Sequence, residues 1–381
     1  MSGKSDILII GGGVIGLSIA RDLVKDYSVT VIDKSTVGTE ASYASGGMLA
    51  PQGELSEGDF QKICVHSNEI YQQYVEDIES ETGICCYRRD AATMAIAMTE
   101  EDEKEYRHTY EMQRADGLTV EWLSGAEVRK HEEKLSDKAR GGLYLPNDKH
   151  LENRALVTAL INSCERRGVR IINGAAAIKI LANGDKIAGV KTIVGDIYAD
   201  IVINAAGAWS STISVENENL RPPVFPVRGQ MIALKLPEAG FLKRTVRSPR
   251  SYLIPRHNNR IFVGATMEKV GFEKKHTVWG LQKLLDGASE LFPDLENATI
   301  EELWTGLRPG TPDNFPIMGK TECENYILAT GFFRNGLLLT PAAAKNIAEL
   351  VRTGNTPKEI APFNISRFNG QKIEIGNTPG A

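Results

Sequence analysis

The first thirty-three residues constrain the fold of this chain more than any other stretch. Asp6-Ile7-Leu8-Ile9-Ile10 is a short apolar run, and Gly11-Gly12-Gly13-Val14-Ile15-Gly16 follows it at once. A helical pattern then runs to Leu23, and a second apolar run ends at Asp33. Strand, glycine turn, helix, strand and acid in this register predict a βαβ unit shaped for the pyrophosphate of a dinucleotide. Gly11 allows the tight turn, Gly13 lets the backbone approach the phosphates, and Gly16 lets helix and strand pack closely. Free N–H groups where Val14 and Ile15 open the helix, together with its dipole, favour the negative group. Asp33 is placed to accept hydrogen bonds from the adenosine ribose, which argues against a 2′-phosphate there even with Lys34 beside it. A bare GxGxxG also occurs as an ordinary glycine-rich turn; here the flanking elements and the acid are in step with it. The motif leaves NAD and FAD open. A short polar leader before it predicts no targeting peptide.

The remaining sequence bounds the class. A chain of 381 residues suits two domains. Net charge is −5 and no basic tract occurs, which excludes nucleic acid as the expected partner. No apolar run approaches the ~20 residues of a membrane span, so a cytoplasmic protein without a membrane partner is expected. Five scattered cysteines are neither a disulfide framework nor a zinc pattern, and the histidines show no ligand spacing, so no metal is predicted.

Organisation follows from local pattern. Residues 41–53 are small and glycine-rich, and include Ser42, Gly46, Gly47, Met48 and Ala50. A chain this bare of bulk can lie flat against a large ligand; the alternative is an ordinary surface loop. Residues 57–82 and 100–131 read as helices, and 91–98, 227–235, 251–256 and 260–266 as strands. His257-Asn258-Asn259 predicts a hairpin between the last two. A second mononucleotide-type pattern starts near 152, with a helix from Leu156 to Arg167 and strands at 169–172, 186–194 and 196–204. The buried run Ile201 to Asn204 ends in Ala205-Ala206-Gly207-Ala208-Trp209, and small residues at a strand's carboxyl end mark where an α/β sheet meets its ligand. Tyr326 to Gly331 is another such strand. Phe332 to Gly336 is a turn, and Leu337 to Val351 is an apolar helix whose N-terminus could face another polar part of the ligand. A nucleotide domain assembled from three distant segments points to a permanently bound flavin rather than NAD.

In their order along the chain, Gly11-Gly12-Gly13-Val14-Ile15-Gly16, Asn204-Ala205-Ala206-Gly207-Ala208-Trp209, Pro226-Val227-Arg228-Gly229-Gln230, Val263-Gly264-Ala265-Thr266-Met267, Gly306-Leu307-Arg308-Pro309 and Phe333-Arg334-Asn335-Gly336 resemble the DAO-type flavin oxidases, most of all their glycine-oxidase branch. The resemblance runs from about residue 5 to about residue 353 and is most specific from Gly306 to Pro341. It implies an α/β fold: a discontinuous, glutathione-reductase-like Rossmann FAD domain (1–85, 145–220 and 305–365), an antiparallel-sheet α+β substrate domain (86–144 and 221–304), and a tail (366–381). It also implies oxidation of glycine and small amines to an imine that hydrolyses to glyoxylate, O2 giving H2O2, a link to thiazole synthesis for thiamine, and a homotetramer. Cofactor contacts carried over include Gly331, Asn335, Gly336 and Leu337.

Two residues depart from the pattern: Phe332 stands where the family often has histidine, and Ala50 where it often has glycine. Relatives with covalent flavin use a cysteine at the position of Gly306, so the FAD is expected to be noncovalent.

An amino-acid substrate brings a carboxylate, whose burial requires a cation. Arg308, set between Leu307 and Pro309, suits this task through its two-pronged guanidinium; the alternative is an ion pair between domains. Tyr252 lies on a strand with its side chain toward the same face as Ile254. It is either a core tyrosine or, as the resemblance implies, a hydrogen-bond donor to the substrate carboxylate. Arg334 is either a helix cap or phosphate contact or, by resemblance, a neighbour of substrate and flavin. Met267 and Ala50 are expected at the pocket wall. No histidine or carboxylate stands out as an acid or base, and none is assigned: a neutral amine can give up hydride from Cα directly, leaving the enzyme to position and desolvate it. Two other classes fit the same motifs, a flavin D-amino-acid dehydrogenase serving a quinone or partner protein and a non-catalytic flavoprotein subunit. Peroxide formation separates all three.

Overall fold

The structure is a computed structural model describing residues 4–53, 58–184, 186–236 and 238–370. It is organised around two eight-stranded sheets. The first is built on the parallel strands Tyr326–Thr330, Gly195–Asn204, Ser5–Ile10, Val29–Ile32 and Arg170–Ile172, in that order. Ile317–Lys320 closes one edge in antiparallel sense, and the antiparallel pair Ala177–Asn183 and Lys186–Thr192 branches from Gly195–Asn204. Successive side chains of the central strand serve opposite faces. Ile7 and Ile9 join a core with the helices Val14–Leu23, Gly58–Thr82, Asn153–Arg166 and Thr340–Thr353. Leu8 and Ile10 join Ile180, Ile187 and Val190 of the antiparallel pair. A strand buried on both sides needs the unbroken apolar run seen in the sequence.

The second sheet runs Thr299–Gly310, Phe225–Lys235, Arg260–Gly264, Tyr252–Arg256, Thr245–Arg247, Thr93–Ala97, Gly141–Leu145 and Glu121–Ser124. One face packs Ile232, Leu234, Leu253 and Val263 against Leu284, Ala288 and Leu291 of the helix Val278–Leu291. The other carries Met231, Ala233, Ile254, Phe262 and Trp304, with Tyr252 against them. Tyr252 and Ile254 do share a face. The hairpin at 257–259 forms, with Asn258 and Asn259 at φ 59° and 55°, the left-handed pair that a tight turn asks for.

Four expectations differ from the structure. The helical stretch 100–131 is three elements: a helix Glu100–Ala115, the strand Glu121–Ser124 and a helix Gly125–His131. Gly117 at φ +76° ends the first, and a Ser124–Glu127 capping box starts the last. The C-terminal helix begins at Thr340, with Pro341 in its first turn, rather than at Leu337. Strand Thr299–Gly310 pairs with its neighbour through Phe225↔Gly310, so it does not leave the second sheet at 305. The segment 366–370 is anchored: Phe368 is buried against the first sheet and Arg367 pairs with Asp313 at 2.7 Å. Residues 371–381 of the expected tail, and residue 57 of the expected helix 57–82, lie outside the described residues.

Candidate functional site

The carboxyl ends of the first sheet's strands and the apolar face of the second enclose a cavity of about 370 Å³. Its floor is the glycine turn. Gly11 has φ +105°, and a Cβ there would stand 2.3 Å from the Ala205 carbonyl oxygen. A Cβ on Gly16 would stand 1.9 Å from the Gly11 oxygen, so helix and strand meet without side chains between them. On Gly13 a Cβ would meet only the Ser42 hydroxyl, at 3.2 Å, leaving the backbone open to the cavity. Ser42 Oγ accepts from the Val14 N–H at 3.0 Å, and Asp33 Oδ2 accepts from the Gly12 N–H at 2.8 Å. Lys34 is held beside this floor by Glu40 at 2.6 Å, with its ammonium 4.1 Å from the centre of the Trp209 ring.

Residues 41–48 cross from one sheet to the other, and side chains that local pattern did not single out hold them there. Asn153, fully buried, donates its amide N–H groups to the Ser42 and Tyr43 carbonyls at 2.9 and 2.8 Å. Arg256 donates to the Leu151 carbonyl at 2.5 Å and to the Gly46 carbonyl; burial pushes its guanidinium down to about 10. Trp304 Nε1–H donates to the Ala44 carbonyl at 3.0 Å. Arg154 forms a two-pronged pair with Glu302, 2.8 Å for each bond, beneath the Tyr43 ring. In the sequence Asn153 looks like a helix-start residue and Arg256 like a hairpin-tip charge; only the crossing of the two sheets buries them.

The cavity brings together Gly11, Gly13, Val14, Ile15, Asp33 and Lys34 with Ser42, Gly46, Gly47 and Met48. Ala206, Gly207 and Trp209 join them, as do Tyr252, Arg308, Arg334, Gly336 and Leu337. Gly16, Ala50, Gly331 and Asn335 lie outside its lining. So does Met267, 57% exposed beyond the end of Arg260–Gly264, which corrects its expected place at the pocket wall. Phe332 lines the cavity while packed into the helical core. Gly306 also lines it, and a Cβ there would stand 2.5 Å from Ala44 Cβ, leaving no room for a thiol side chain.

Arg308 lies flat over Gly229, two residues beyond its cross-strand partner Val227, and a Cβ on that glycine would stand 2.4 Å from the guanidinium. It donates to the Thr266 carbonyl at 3.1 Å and makes no ion pair among the described residues, which sets the interdomain ion pair aside. The Tyr252 ring rests on Gly264 and its hydroxyl lies 3.7 Å from Met231 Sδ. Arg334 is exposed on the turn before the last helix, its guanidinium 5.2 Å from the Phe333 ring centre. Among the described residues no His, Cys, Asp and Glu group could hold a metal, and no helix is long and apolar enough to cross a membrane.

A family model described as FAD dependent oxidoreductase, DAO, matches residues 6–350. The chain belongs to the DAO family of FAD-dependent oxidoreductases. FAD is therefore its cofactor. The bifunctional protein ThiO/ThiG of Nostoc sp. (strain PCC 7120) is 36% identical over 97% of the chain, and the chain spans 56% of that relative's length. Glycine oxidase of Geobacillus kaustophilus is 31% identical over 97% of this chain and 99% of its own. The crystal structure of glycine oxidase from that organism aligns with a TM-score of 0.91 at 29% identity, covering 96% of this chain and 99% of the other. The family's two-part α/β architecture is the one observed here.

Proposed function

We propose that this chain oxidises glycine and small amines such as sarcosine, N-substituted glycines and D-alanine, with noncovalent FAD and with O2 as the final acceptor. The observation that carries this reading is that Arg308 and Tyr252, a cation and a hydroxyl suited to a carboxylate, open on the same cavity as the glycine turn. The turn fits the cofactor: the bare Gly13 backbone and the amides at the start of the helix would take the pyrophosphate, and Asp33 the adenosine ribose. Lys34, Gly46, Gly47, Met48, Gly207 and the turn around Arg334 would hold the remainder, and the crowding at Gly306 speaks for noncovalent attachment.

When bound, FAD supplies the acceptor for the two electrons leaving the substrate Cα–H and returns them to oxygen. The chain's own residues would do the rest. Arg308 takes the substrate carboxylate in a two-point, charge-assisted bond. Tyr252 donates its O–H to the same group. Met231 and the ring of Tyr252 keep water from the amine, so that it stays neutral and Cα is held at a fixed angle. Glycine thereby loses two electrons and two protons and becomes the imine. Water then replaces ammonia to give glyoxylate, while O2 takes up the electrons and protons as H2O2.

The similarity to glycine oxidase and to ThiO/ThiG supports a role in thiazole formation for thiamine; a cytoplasmic homotetramer is part of the same proposal. The test is to supply glycine to the purified yellow protein and measure both products. Peroxide and glyoxylate in near-equal amounts are expected. Turnover only with an artificial acceptor would move the chain to the dehydrogenases, and no turnover to the non-catalytic flavoproteins.

A further inference from the structure

Arg308 is not the only guanidinium in the cavity. Arg247 ends the short strand Thr245–Arg247 and stands directly opposite Tyr252 in the antiparallel pair. Residues opposite one another in such a pair project to the same face, so Arg247 shares the face that carries Tyr252 toward the cavity, and it lines that cavity. Its Nη1–H donates to the Gly53 carbonyl at 2.5 Å. Its other N–H groups have no protein acceptor and its charge has no ion-pair partner among the described residues. The buried Asp148 carboxyl, which the Arg247 charge reaches, is pushed up to about 7 by burial. Arg247 and Arg308 lie on the one face that lines the cavity, on strands well apart in the sheet. Their strands are separated by Tyr252–Arg256, Arg260–Gly264 and Phe225–Lys235, four interstrand steps or about 19 Å between backbones. A glycine whose carboxylate sits on Arg308 is too short to use both.

We infer that Arg247 is a specificity-determining residue: it forms a second anion subsite, and selects N-substituted glycines whose nitrogen substituent carries its own carboxylate, the iminodiacetate class. This rests on the proposed amine oxidation only for the chemistry at Cα; the subsite itself requires the cavity and two guanidinium groups. A substrate with one carboxylate toward Arg308 places its second on the Arg247 side. A guanidinium that already gives one N–H to a backbone carbonyl is oriented before the ligand arrives, which lowers the cost of ordering it.

Diglycolate, in which an ether oxygen replaces the amine of iminodiacetate, cannot be oxidised at nitrogen and reports binding alone. Methoxyacetate is its monoanionic counterpart. Calorimetric titration of the FAD-loaded protein should show diglycolate binding at least tenfold more tightly than methoxyacetate. In Arg247→Gln, which keeps an amide N–H for the Gly53 carbonyl but removes the charge, that preference should fall to within about twofold, and Arg247→Lys should restore part of it. Each variant's flavin-to-protein ratio checks that the fold is kept. Equal affinity in the unmodified protein, no diglycolate binding, or a preference that survives in Arg247→Gln would overturn the subsite. Glycine-dependent peroxide from the same preparation is read separately, so failure of the oxidase reading would leave the titration interpretable.

Discussion

At the scale of single residues the site is a matter of which charges are left for a ligand. Three arginines in the strands and helix behind the cavity wall are already committed: Arg154 to Glu302, Arg256 to two backbone carbonyls, Arg228 to Glu268 at 2.6 Å. Arg308 has a single carbonyl and a glycine beneath it. A two-point bond to a carboxylate in a water-poor pocket contributes about 2–4 kcal/mol. Arg308→Ala should therefore raise the KM for glycine roughly 30- to 1000-fold, with the FAD retained. Arg308→Lys should recover only part of this, because an ammonium lacks the planar fork. Steady-state kinetics beside flavin content decide the matter: near-normal glycine kinetics, or loss of FAD and precipitation, would make Arg308 a structural residue.

At the scale of elements, the segment 41–48 holds its shape through side chains from other parts of the chain. Asn153→Ala removes the donors to two carbonyls at once and should cost about 1–3 kcal/mol, seen as a lower Tm and weaker FAD retention. Beside it, two buried groups on and next to the strand Lys149–His150 pull in opposite directions. Burial raises the Asp148 carboxyl to about 7 and lowers the His150 imidazole to about 3. The Asp148 contribution is complete below its ordinary 3.8 and is lost as pH rises to about 7, because the unfolded chain releases a proton that the fold keeps. The His150 contribution is complete above 6.5 and is lost as pH falls toward 3, because the unfolded chain takes up a proton that the fold refuses. Between 3.8 and 6.5 the two slopes cancel. Asp148→Asn should then make stability rise with pH by about 1.4 kcal/mol per unit relative to the parent, and His150→Gln should give the opposite sign. Denaturant melts across that window measure both slopes; parallel profiles for all three proteins would refute the assignment.

At the scale of the whole molecule, the two sheets share one cavity whose walls come from the chain's beginning, middle and end. The cofactor is expected to be held by that enclosure rather than by a bond. Acid precipitation should leave the yellow colour in the supernatant, and colour in the pellet would contradict this. The crowding of Gly306 against Ala44 supports this, since a Cβ there would stand 2.5 Å from Ala44 Cβ.

Much of this was legible in the sequence because it is encoded by near neighbours. The strand–glycine turn–helix start, the small residues after Asn204 and the Asn-Asn hairpin all follow from the order of adjacent side chains and appear in the structure where they were expected. The aspect of Tyr252 was also legible, since alternation along a strand is a local rule. Local pattern failed where the deciding contact is distant. Helical composition at 100–131 gave way to a strand because Glu121–Ser124 finds an edge at Gly141–Leu145. Met267 is exposed because the strand ends at Gly264, three residues before it, so alternation no longer sets its aspect. Arg256 meets Gly46 across 210 positions, Asn153 meets Ser42 across 111, and Arg247 comes to face the cavity through sheet register with Tyr252. The sequence alone determined the strand, glycine turn and helix at the start of the chain and the Asn-Asn hairpin. Only the tertiary structure decided which arginines remain available to a substrate, because a buried charge is claimed by whatever carbonyl or carboxylate the fold brings within reach.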